Sequence, residues 1–273
     1  MISGFTLFCI GFVGIVCCAV PPIAALLLYK KCGGTAAAFF WGCGMYIMFN
    51  IVLSTPVGAI LTMTPLAEQL WFTVLYSGLT AAMMDGFGRI AIFRWGLKNE
   101  QKPVNALLYG LGFSWVDCVV LLGIDSIFTA AFGATYNRDP AALDALGAPE
   151  MVAALTQQLQ NTDIGNLLAS CAARLLACVL QMALAQLMMT AVAKRKGWYT
   201  VLTIVLQHVC VCIVVWVGEV TQSMPLCLAV RVVFLAAAIL LALRTKTLWE
   251  ETEPTAGAPR SETGNTRLPR RSL

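Results

Sequence analysis

Seven long apolar stretches, separated by short polar connections, leave this chain few places to fold other than a lipid bilayer. They run over residues 2–29, 35–61, 70–93, 104–127, 164–193, 198–220 and 224–243. At 1.5 Å per helical residue, each is long enough to cross a hydrocarbon core of about 30 Å. None alternates with period two, and a barrel strand needs only about 10 residues, so helices are expected. The composition agrees: 59% of the 273 residues are hydrophobic and 12% are charged. A soluble domain carries roughly twice that share of charge. Soluble enzymes, disordered chains and fibrous rods are thereby excluded. The expected fold is all-α, a polytopic bundle of seven transmembrane helices over 1–249, followed by a disordered cytoplasmic tail over 250–273. The first stretch lacks a basic leader and is expected to stay as a span.

The loops alternate in charge. Lys30 and Lys31, then Arg94, Lys98 and Lys102, then Lys194, Arg195 and Lys196, then Arg244 and Lys246 follow the odd-numbered stretches, while Arg138 is alone on the other side. Under the positive-inside rule this places the amino terminus outside and the carboxyl terminus in the cytoplasm, in a multi-pass plasma-membrane protein. The net charge of +4 lies at membrane edges and in the tail, so it signals no nucleic-acid partner. Membrane lipids are the expected surroundings, and the tail arginines could touch anionic ones. One extracytoplasmic loop is long, 133–163. Within it Pro149-Glu150 opens a short helix with Met151, Val152, Leu155 and Leu159 on one face, expected to lie on the membrane surface. The cysteines fall almost entirely in apolar runs with no Cys-x-x-Cys pair, and read as small hydrophobes.

Ionisable groups inside a span cost roughly 3 kcal/mol each on insertion scales, so each needs a partner or a purpose. Measured inward from the basic edge, Asp85 and Gln207 lie at about 12 Å, Phe113 and His208 at about 14 Å, Gln181 and Arg231 near 18 Å, and Asp117 near 20 Å. Asp85 and Arg89 are four apart and share a helix face. Asp117 and Arg231 match in depth and are expected to pair across helices, whereas Arg174 is expected near the outer interface. His208 is the only histidine. With Asp85 and Asp117 it scarcely supplies the three ligands of a zinc hydrolase, so neither metal nor cofactor is expected. The two aspartates differ by about 8 Å in depth, too far for a shared-proton dyad. The last stretch contains no lysine, which excludes a Schiff-base chromophore.

The runs from Gly78 to Asn99 (GLTAAMMDGFGRIAIFRWGLKN) and Ala106 to Gly123 (ALLYGLGFSWVDCVVLLG), with 174–211 more faintly, resemble the YhfC family of intramembrane proteases. That family is related to the CAAX-protease and bacteriocin-processing group. Its Glu-Glu-x-x-Arg would match Asp85, Gly86 and Arg89. Its Gly-His-Gly-Gly-x-Glu would fall on Gly112, Phe113, Ser114, Trp115 and Asp117. A fifth-span histidine would meet Gln181, and a sixth-span histidine Gln207 or His208. The resemblance thus implies catalytic positions at Asp85, Arg89, Asp117 and His208, and substrate contacts at Phe113, Ser114 and Gln181. Here the glutamate pair has become one shorter acid and the first histidine a phenyl ring. A lost base forfeits about 10²–10⁴-fold in rate. The leading expectation is a protease-like scaffold with weakened or lost peptidase activity, binding a membrane-embedded peptide or protein partner. A protease with a rearranged Asp85–Asp117–His208 site, and a small-solute or ion permease, are the alternatives.

Overall fold

The computed structural model describes residues 1–144 and 149–250, so the expected disordered tail lies almost wholly outside the described residues. Helix α1 spans Gly4–Cys32 and runs unbroken through Pro21 and Pro22. It ends where Gly33, at φ 67°, adopts the left-handed conformation and donates its N–H to the Tyr29 carbonyl at 3.2 Å. Helix α2 (Ala36–Tyr46) passes through a π-helical segment, Ile47–Leu53, into α3 (Ser54–Thr62). Helix α4 covers Leu70–Ala91 and ends in a π turn, Ile92–Gly96. Helix α5 (Pro103–Cys118) begins with proline, whose missing N–H costs nothing at a helix start, and a π turn joins it to α6 (Ile124–Arg138).

Two short helices follow, α7 (Ala141–Asp144) and α8 (Pro149–Gln160). Helix α9 (Ile164–Ala193) is capped by Asp163, whose carboxylate accepts from the Gly165 amide at 2.8 Å. Then come α10 (Trp198–Thr221), α11 (Met224–Arg244) and the short α12 (Lys246–Glu250). Among the described residues the regular structure is all helical. Six helical segments among the described residues are long and apolar enough to cross a membrane. Helix α4, which carries Asp85 and Arg89, is not among them.

The fourth stretch differs from expectation. The helix does not stop at Ile127 but continues to Arg138, 36 residues in all. At 1.5 Å per residue that is about 54 Å, well beyond a bilayer core. The first residues of the expected loop are therefore a helical extension. The helix expected at Pro149 forms as α8, and its Leu159 is buried against Ile2, Ile10 and their neighbours from α1, α6 and α9, capping that end of the bundle.

Helices α5 and α9 are the axis of the packing. The most apolar windows of Pro103–Arg138 and of α9 are 50% and 56% buried, against 33% or less for the other spans. Around this pair, α1 and α2 lie on α5, α10 and α11 lie on α9, and α4 lies on α10. Bulky apolar residues such as Phe5, Phe8, Val201, Val233 and Leu240 point outward, as a lipid-facing surface requires. Small residues set the closest contacts. A Cβ on Gly112 would collide with the Phe39 carbonyl, and one on Gly42 with the Tyr109 carbonyl and Phe113 amide. A Cβ on Gly110 would lie 2.6 Å from the Met182 Cα of α9.

The basic segments gather at one end. Thr35 N–H donates to Asn105 Oδ1 at 2.8 Å, bringing the starts of α2 and α5 together. The Trp249 indole donates to Thr190 Oγ1 at 3.1 Å, and Lys194 Nζ sits 4.5 Å above the Trp249 ring. At the opposite end, Asn137 exchanges two hydrogen bonds with the backbone of Ile2.

Candidate functional site

The α4 pair forms as its spacing requires: Arg89 Nη2 lies 3.8 Å from Asp85 Oδ2, with both residues buried, at 1% and 4% exposure. At that distance the carboxylate cannot satisfy the guanidinium alone, and amides from other helices complete it. Arg89 Nη1 donates to Gln207 Oε1 of α10 at 2.6 Å, and Nη2 donates to Gln181 Oε1 of α9. The Gln207 amide in turn donates to Asp85 Oδ2 and to the Ala81 carbonyl. Asn50, from the π segment after α2, donates to Asp85 Oδ1 at 3.2 Å. The Phe113 ring of α5 closes the other side, its centroid 5.8 Å from Arg89 Cζ. One guanidinium therefore joins side chains of α4, α5, α9 and α10, and through Asp85 reaches α2's extension.

A second ion pair lies beyond Phe113. Asp117 accepts from the Tyr46 hydroxyl at 2.9 Å and from Arg174 Nη1 at 3.1 Å. The expected Asp117–Arg231 pair does not form, and Arg174 stands in the place expected of Arg231. Depth is one coordinate of two: α11, which carries Arg231, packs on α9 and α10 and not on α5. Arg231 Nε is buried without a hydrogen-bond partner among the described residues. Because the Asp117–Arg174 pair is only partly enclosed, at 20% and 31% side-chain exposure, its worth should be moderate. A double-mutant cycle of Asp117→Asn and Arg174→Met should give a coupling of about 0.5–3 kcal/mol in detergent melts.

His208 stands apart from both pairs. Its ring lies 3.7 Å from Cys212 Sγ, and its Nδ1 would be 2.9 Å from a Cβ on Gly78. Gly78 is seven residues, about 10 Å along α4, from Asp85. Gln207, and not His208, is the α10 side chain in the network. Ser114 donates its hydroxyl to the Gly110 carbonyl of its own helix at 2.9 Å. Phe113 is buried against Tyr46 and Tyr109. The structure thus brings together Asp85, Arg89, Phe113 and Gln181, places Asp117 beside them in its own pair, and leaves His208 and Ser114 outside. Sequence reasoning passed over Tyr46 and Asn50, although polar groups in the middle of an apolar stretch are the usual sign of helix–helix hydrogen bonding.

The cysteines behave as expected of small hydrophobes. Cys17, Cys118, Cys171 and Cys178 share one apolar cluster with Val13, and all eleven thiols are free.

The profile of the family described as "YhfC intramembrane metalloprotease" matches residues 16–224. The chain belongs to the YhfC family. A relative, "Uncharacterized membrane protein YhfC" of Bacillus subtilis (strain 168), is 22% identical over 194 residues, covering 68% of this chain and 75% of the relative. No solved structure matches the chain. YhfC membership and the six apolar helices make this a multi-pass membrane protein.

The family description implies a metal, and the donor set can be tested against one. Among the described residues no group of three or more His, Cys, Asp or Glu side chains is arranged so that it could hold a metal ion. In the Arg89 network a single carboxylate, Asp85, stands with amides of Asn50, Gln181 and Gln207. The Gln181 and Gln207 oxygens already accept from the guanidinium. A divalent ion there would face a fixed positive charge and weak neutral donors, where zinc is ordinarily held by imidazole, thiolate or carboxylate. The residues present do not fit a metal centre.

Proposed function

We propose that this chain is a YhfC-family membrane protein in which the hydrolytic site has become a structural polar core, and that it binds a membrane-embedded peptide or protein partner without cleaving it efficiently. One observation carries this reading. Phe113 and Gln181, where the family resemblance expects histidines, and Gln207, one of the two residues at the sixth-span histidine position, converge in space, and all three contact the Arg89 guanidinium. Groups that would hold a metal or a proton are replaced by a ring and two amides engaged by an internal cation. A guanidinium offers donors and no acceptor lone pair, so Arg89 cannot take a proton from a water. Asp85 has three protein neighbours, Asn50, Gln207 and Arg89, within or near hydrogen-bond range, which leaves little of it to activate a water.

In this reading α4 crosses the membrane as a seventh helix whose charges are neutralised by neighbours, and the basic end of the bundle faces the cytoplasm. The test is direct. Full-length protein is reconstituted with a fluorogenic transmembrane peptide and zinc, beside an Asp85→Ala variant. Equal background turnover from both is expected. Cleavage by the unaltered chain that vanishes in Asp85→Ala would overturn the proposal.

A further inference from the structure

At the basic end of the bundle the last turn of α4, the segment after it and the α9–α10 turn enclose a recess of about 650 Å³. Arg94, Lys98 and Arg195 line it, with Gln101, Gly197 and Thr200. No acidic side chain is among the lining residues. The positive-inside rule alone accounts for basic residues at this end, but not for three of them, from two separate segments, facing one concavity. Lys30 and Lys31, equally basic, sit on the exposed last turn of α1.

Two further features bear on what the recess holds. Gly197 and Thr200 belong to the start of α10, a 24-residue helix whose amino end carries the positive pole of its dipole. Arg195, at φ 53°, closes the α9–α10 turn in the left-handed conformation, as Gln222 does after α10. The level of the recess is marked by Trp95 and Trp198, next in sequence to Arg94 and Gly197, whose indoles are 72% and 56% exposed. Exposed indoles at span ends belong to the headgroup layer of a bilayer.

We propose that this recess binds the phosphate of an anionic phospholipid whose acyl chains lie in the bilayer. Cationic pockets between helix ends are suited to such headgroups, each cation contributing about fivefold in affinity, equivalent to about 1 kcal/mol. The inference is independent of whether peptidase activity survives.

The experiment is competitive lipid retention. Full-length protein in detergent is given equal amounts of phosphatidylglycerol and phosphatidylcholine with matched chains, and bound lipid is counted by native mass spectrometry. Preferential phosphatidylglycerol binding is expected. It should fall to the phosphatidylcholine level in Arg94→Gln/Lys98→Gln/Arg195→Gln and persist in Lys30→Gln/Lys31→Gln. Arg195→Gly is the folding control: its melting temperature should hold or rise while phosphatidylglycerol affinity drops about fivefold. Equal retention of the two lipids would overturn the proposal, as would equal losses in the recess and Lys30/Lys31 variants. Binding of inorganic phosphate as tight as that of phosphatidylglycerol would assign the recess to a soluble anion and overturn the lipid reading too.

Discussion

Arg89→Met should lower the stability of the folded bundle by about 3–5 kcal/mol, the range seen when one member of a buried ion pair is removed. The loss has two sources. Asp85, 4% exposed, would keep Asn50 and Gln207 but lose its counter-charge. The Gln181 and Gln207 oxygens, which accept from Arg89, would be left without their donor in an apolar interior. Arg89→Lys should fall between the two, because an ammonium group is a point charge and cannot span two amides and a carboxylate as a planar fork does. Adding Asp85→Leu to Arg89→Met should recover part of the loss, since a pair replaced by apolar groups no longer buries an uncompensated charge. The measurement is thermal unfolding in detergent, followed by a fluorescent thiol probe. A single variant that melts with the parent protein would show that the guanidinium holds nothing together. A double variant no better than the single would remove the pairing argument.

The bundle was legible because its main signal, apolar length between charged loops, is a one-dimensional property. What happens past the membrane edge is not. The helix through Arg138 outruns the apolar stretch read to Ile127 because nothing in the backbone demands a stop there; after Ile127, Gly133 is the one strong helix breaker before the Asp139-Pro140 turn. The core of the site was partly legible for the same reason. Residue spacing gave the Asp85–Arg89 pair, and depth grouped Gln207 with Asp85, but it set Gln181 about 6 Å deeper than Asp85, so the Arg89–Gln181 contact was not legible. Depth says nothing about direction around a helix, however. Neighbouring Gln207 and His208 differ by about 100° in azimuth. Only the packing of α10 on α4 and α9 decides that the amide faces Arg89 while the imidazole meets Gly78 and Cys212. The same blindness paired Asp117 with Arg231, which shares its level but not its neighbours. Its true partner, Arg174, belongs to α9, the helix α5 packs against.

A bulky residue at Gly112 should do comparable damage without touching any charge. Helices α2 and α5 approach so closely that even a methyl group there would collide with the Phe39 carbonyl, a backbone atom that no rotamer change can move aside. Gly112→Leu would therefore drive the two helices apart. Overpacking of this kind costs about 1–3 kcal/mol where side chains can adjust, and more where backbone must shift. The displacement would reach the polar core, because Tyr46 of α2 holds Asp117 of α5 by a 2.9 Å hydrogen bond and packs edge-on against Phe113 at 5.1 Å between ring centroids. Gly44, two residues before Tyr46 on the same helix, supplies the comparison, since a Cβ there would meet nothing within 4 Å. Gly44→Ala should be neutral or stabilise by up to about 1 kcal/mol, the helix-propensity difference. Strong destabilisation by Gly112→Leu beside a benign Gly44→Ala is the expected pattern in detergent melts. Two benign outcomes would mean that the α2–α5 contact is looser than its geometry indicates, and that Phe113, Tyr46 and Asp117 are not held in register by it.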